Sequence, residues 1–82
     1  MSYERIDNYM WDLRLRLMKK HGVDEADRII DPLAWYIRTD RAPLSFIRAL
    51  LAAKPFMICR KLEAGGSVDE CIARITAYIR PV

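Results

Sequence analysis

His21, Cys59 and Cys71 are the side chains of this chain best suited to covalent or metal chemistry, and their spacing supports neither. A Ser-His-Asp relay would have to run through His21, the only histidine, which stands beside Lys19 and Lys20 with no obvious acid to orient its ring. Zinc needs converging Cys, His or carboxylate ligands at defined spacing. Cys59 and Cys71 lie 12 residues apart and match no metal or redox motif. Both fall on apolar helix positions and read as reduced core thiols of a cytosolic protein. Asp24, Glu25, Asp27 and Asp31 lack the calcium-loop pattern and its glycine, so they read as charges at a helix start. Gly65-Gly66-Ser67 lacks the lysine and spacing of a phosphate loop. Asp69 and Glu70 follow it and disfavour an anion at that helix N-terminus. The expectation is a protein that is not an enzyme, with no cofactor, no metal site and no small-molecule substrate.

Function then falls to surface residues that look out of place. On a helical wheel at 100° per residue, Tyr3, Ile6, Met10, Leu13 and Leu17 cluster within about 80° of arc. Trp11, Leu15 and Met18 form a second apolar stripe, roughly 100–150° away. A helix with two apolar stripes must bury both or offer one to a partner. Either the second and fifth helices cover one stripe each, or Trp11, Leu15 and Met18 form an anchor strip for another protein or a second copy. Trp35 is the other anomaly. Leu33, Tyr36 and Ile37 point to one side, whereas Trp35 points away, near Arg28, Asp31 and Arg38. Tryptophan flanked by arginine is a common hot-spot composition. A stack with Arg38 or a place beneath the 39–43 loop would account for Trp35 as well.

The net charge is +3, and its distribution is uneven. Residues 1–37 carry six basic and seven acidic groups. Residues 38–61 carry Arg38, Arg41, Arg48, Lys54, Arg60 and Lys61 against Asp40 alone. Residues 62–82 carry two basic and three acidic groups. All the excess positive charge therefore lies in the middle third, which suits an acidic partner, protein or nucleic acid. Those six cations are either a phosphate-tracking patch, with Arg14, Arg16, Lys19 and Lys20 added if the first helix lies adjacent, or the solvated rim of the third and fourth helices. No convincing helix-turn-helix is present.

The elements that must position these residues are helices. The first spans about Ser2 to Lys20, with Ser2 as cap and Gly22 as stop. The alternation of Leu13, Leu15 and Leu17 with Arg14 and Arg16 is a strand pattern, but the helical spacing runs over more residues. The second starts at Asp24, where Asp31-Pro32 either kinks or restarts it, and ends near Thr39. Pro43 opens a third, running to Ala53, whose surface is broken only by Ser45 and Arg48; it is expected to be the central, most buried element. Pro55 opens a fourth, which Gly65-Gly66 stops. Ser67-Val68-Asp69-Glu70 is a capping box opening the last, which Pro81 ends. At 82 residues, 52% apolar and 30% charged, the chain is expected to be one all-α domain over residues 1–82, a bundle of about five short helices.

No secretory signal opens the chain, and the apolar run from Leu44 to Cys59 holds Arg48 and Lys54, too short and too charged for a membrane span. In general style it resembles small bacterial and phage accessory proteins, a likeness that rests on no motif. The leading expectation is a regulator, adaptor or steric inhibitor that binds a protein partner, or its own copy as a homodimer. The alternative is a small basic nucleic-acid-binding regulator.

Overall fold

The computed structural model describes residues 3–80, with the side chain of Tyr3 excepted. Ser2 as a cap, Pro81 as a stop and the packing of the Tyr3 ring lie outside the described residues. Five helices follow in order: α1 Tyr3–His21, α2 Val23–Arg38, α3 Leu44–Ala52, α4 Pro55–Glu63 and α5 Val68–Ile79. The fold is an all-α bundle with a radius of gyration of 11.6 Å, close to the roughly 11.7 Å of a compact chain this long.

Local signals set most boundaries. Gly22, at φ 86°, is the single residue between α1 and α2. Its N–H closes α1 on the Met18 carbonyl, and its carbonyl accepts from Ala26 in α2. A positive φ here favours glycine, which has no Cβ to clash. Pro55 occupies the first turn of α4, where a missing N–H breaks no bond. Ser67 and Glu70 form both bonds of the capping box that opens α5, Glu70 N–H to Ser67 Oγ at 3.1 Å and Ser67 N–H to Glu70 Oε1 at 3.0 Å.

Two readings are corrected. Of the two offered at Asp31-Pro32, a restart of the helix is ruled out: α2 runs unbroken from Val23 to Arg38 with Pro32 inside. Proline removes one backbone bond, to the carbonyl four residues earlier. Ala26 and Ile30 before it and Leu33 after it are all buried, so tertiary packing carries the helix past that loss. Nor is α3 the central element. Its backbone approaches only α1 and α5. Leu44 is half-exposed, and Arg48 and Ala52 face solvent. Its apolar composition does not mean that it is covered all round: Leu44 and Ala52 are apolar and exposed.

The core takes Ile6, Leu13 and Leu17 from α1, and Ala26, Ile30 and Leu33 from α2. Phe46, Ile47 and Leu50 of α3, Ile58, Cys59 and Leu62 of α4, and Cys71 and Ile75 of α5 complete it. Tyr36 meets Phe46 edge-on, with centroids 5.1 Å apart. Both thiols are free and buried. Burial pushes Cys59 up to about 11 and raises Cys71 as well, so neither is a thiolate at neutral pH.

Removing the capping box tests its weight. Ser67→Ala is expected to lower stability by about 1 kcal/mol, a fall in Tm of roughly 4–8 °C for a domain of this size, measured by thermal circular dichroism.

Candidate functional site

The second stripe of α1 is the first candidate. Trp11 is 56% exposed and Leu15 40% exposed, whereas Met18 is partly buried against the core. Helices α2 and α5 do not cover one stripe each, because the α5 backbone does not pack against α1. The α5 stripe is taken up by α2, α4 and α3 instead, and α2 reaches only the edge of the Trp11 stripe. There a cleft of about 180 Å³ is lined by Asp7, Met10, Trp11, Arg14, Ile30 and Ala34. The Arg14 guanidinium lies 5.7 Å from the Trp11 ring centroid and pairs with Asp27 of α2 at 2.8 Å. Arg14 thus ties the tryptophan to both helices while leaving its outer face open.

Trp35 sits on the outer side of α2. The cation over its ring is Arg41, from the loop before α3, at 4.7 Å. Arg38 instead lies 4.0 Å from Asp31, and Arg28 pairs with Glu25 at 2.7 Å. Of the two accounts, a stack with Arg38 or a place beneath the 39–43 loop, it is the loop that meets the ring, through Arg41. With Arg41 on it, Trp35 remains 37% exposed.

The six cations of the middle third meet different surroundings. Arg60 joins Arg16 and Lys20 of α1 in a groove between α1 and α4, of about 250 Å³, with the half-exposed Phe56 on its wall. Lys61 lies 5.5 Å over Tyr78 of α5. Arg48 borders a depression on α3, Arg41 covers Trp35, and Lys54 is exposed ahead of α4. Among the described residues none of Arg41, Arg48, Lys54, Arg60 and Lys61 pairs with a carboxylate. The reason is in the chain: residues 41–62 contain no acid.

His21 also has a partner that the sequence concealed. Glu63, 42 residues on, takes its Nε2 at 2.5 Å and the Lys20 ammonium at 2.9 Å. This clamp holds the end of α1 to the end of α4. The bond from Lys20 is the main reason the Glu63 carboxyl is held below its usual range; burial opposes it, and His21 adds to the lowering. On the same helix, the Tyr9 hydroxyl donates to the Ala53 carbonyl at 3.0 Å, and burial raises its pKa. Among the described residues no group of three or more His, Cys, Asp or Glu is placed to hold a metal ion. No described helix is long and apolar enough to cross a membrane. No family model, curated protein or solved structure matches the chain.

Two outcomes follow. A carboxylate lowered in the folded state adds stability above its unfolded value, about 4.3, and loses that stability as pH falls through the lower folded value. Glu63→Gln is therefore expected to lower Tm at neutral pH and to flatten its acid decline, in melts between about pH 2 and pH 6. Acrylamide should quench Trp11 more than Trp35, each read in a variant with the other changed to Phe. Arg41→Ala should raise Trp35 quenching; an unchanged value would mean the loop arginine does not cover the ring.

Proposed function

We propose that this chain is a non-enzymatic helical protein that binds another protein and acts as a regulator, adaptor or steric inhibitor. The observation that carries this reading is the exposure of Trp11 at 56%, beside Leu15 at 40%. Both sit on a helix whose other stripe is already buried at Ile6, Leu13 and Leu17. Large exposed apolar side chains in one strip mark interaction surfaces more often than isolated ones do. Burying them returns about 25 cal/mol per Å² of apolar surface removed from water. Trp11 and Leu15 are the anchors, Met18 the adaptable edge, and Arg14 a fixed cation on the tryptophan ring. Trp35, with Arg41 above it and Arg28 and Arg38 nearby on α2, is a second contact. The cations of residues 38–61 speed encounter with an acidic surface.

A second reading, a small basic nucleic-acid-binding regulator, is favoured by one observation: Arg16, Lys20 and Arg60 line one groove with the exposed Phe56. Such a groove offers phosphate contacts and one stacking surface. Lys20 and Arg16 already hold Glu63 and Asp12, and this weakens the reading against the first.

Affinity capture of the tagged protein from a bacterial lysate, with and without nuclease, separates the two. The first reading expects one stoichiometric protein that survives nuclease and is lost with Trp11→Ala or Leu15→Ala, the fold being intact by circular dichroism. Nuclease-sensitive capture, with a steep loss of binding as salt rises, would overturn it in favour of the second. A Tm that rises with protein concentration in the absence of any partner would show a homodimer on the strip.

A further inference from the structure

Two depressions meet on the outer side of α3. One, of about 370 Å³, is lined by Leu44, Ser45, Arg48 and Ala49. The other, of about 300 Å³, is lined by Ala49, Ala52, Ala53, Tyr78 and Ile79. Both are lined by Ala49, so they adjoin on α3, and the second reaches α5; together they are the α3/α5 groove. Its floor is apolar, and no carboxylate lines it. Its charge is cationic: Arg48 lines the first depression, and Lys61 lies 5.5 Å from the centroid of the Tyr78 ring that lines the second. Lys54 follows the floor residue Ala53 directly. Arg74 donates to the Lys61 carbonyl at 2.8 Å, fixing α4 against α5. Arg48, Lys54 and Lys61 have no ion pair among the described residues.

We infer that the α3/α5 groove docks an acidic amphipathic helix of a partner protein. The charge of the groove selects the occupant. An apolar floor needs apolar side chains spaced along one face, which a helix supplies at i, i+3, i+4 and i+7. Single-sign cations need carboxylates on the flanks of that helix. Nucleic acid fits less well, because strand binding relies on successive aromatic platforms. This groove has one aromatic, Tyr78, and it already lies under Lys61. The inference shares the protein-binding reading above but uses no residue of the Trp11 strip, so the two fail separately.

Fluorescence anisotropy with the full chain tests it. Three labelled probes are used: a peptide of about 12 residues, roughly 18 Å as a helix, with leucine at helical spacing and glutamate elsewhere; the same peptide with glutamine for glutamate; and an oligothymidylate of similar length. The acidic peptide is expected to bind, with at least about tenfold weaker binding of the glutamine peptide. Arg48→Glu, and separately Ala49→Tyr to fill the floor, should each weaken the acidic peptide by a similar factor, whereas Trp11→Ala should not. Folding of each variant is checked by circular dichroism. Equal binding of the two peptides, preference for the oligonucleotide, indifference to both groove variants, or no binding of the acidic peptide would each overturn the inference. Loss with Trp11→Ala alone would move the acidic helix to the α1 strip.

Discussion

Ile6, Leu13 and Leu17 lie along one side of α1 at no more than 2% exposure, with α2 and α4 packed around them. A chain of this length buries only about 60% of its unfolded surface, so it has few elements with which to cover its longest helix. Once α2 and α4 have taken the Leu13 side, nothing is left for the Trp11 side. The remaining helices are committed: α3 packs on α1 and α5, with Ala53 just past its end held by the Tyr9 hydroxyl, and α5 packs on α2, α4 and α3. The exposure of Trp11 and Leu15 is thus a consequence of how the core is closed.

Two polar ties hold the same frame. The single-residue joint at Gly22 sends α2 directly out of α1, and Arg14 to Asp27 ties the pair across their contact. At the end of α1, Glu63 gathers Lys20 and His21 and fixes α4. These ion pairs are partly exposed, and pairs of that kind contribute little each to stability. Their effect is positional: they leave Arg16 and Arg60 facing one groove and Trp11 facing outward.

The charge asymmetry acts in the opposite way. Acids and bases are mixed in the first 37 residues, so Arg16 and Arg28 find partners within a turn and Arg14 finds one across α1–α2. The acid-free stretch 41–62 has no such partner at hand, so its cations lie over aromatic rings or point to solvent. Uncompensated charge beside an apolar groove is what an acidic helix would complement.

Period and capping are local properties, decided within about four residues, and the amino-acid order alone determined them. The five helices, the Gly22 and Gly65-Gly66 breaks, the Ser67–Glu70 box and the core side of α1 were all legible there. So were the burial of both cysteines and the acid-free stretch 41–62. The tertiary structure decided what depends on residues far apart in the chain: that α2 survives Pro32, that α3 lies at the side of the bundle, and that α5 leaves the Trp11 stripe bare. It also put Arg41 rather than Arg38 on Trp35, paired His21 with Glu63, and joined Arg60 to Arg16 and Lys20. Those outcomes follow from which helix faces pack together and from long side chains taking the nearest partner in space. Neither is encoded in the spacing of residues along a single helix.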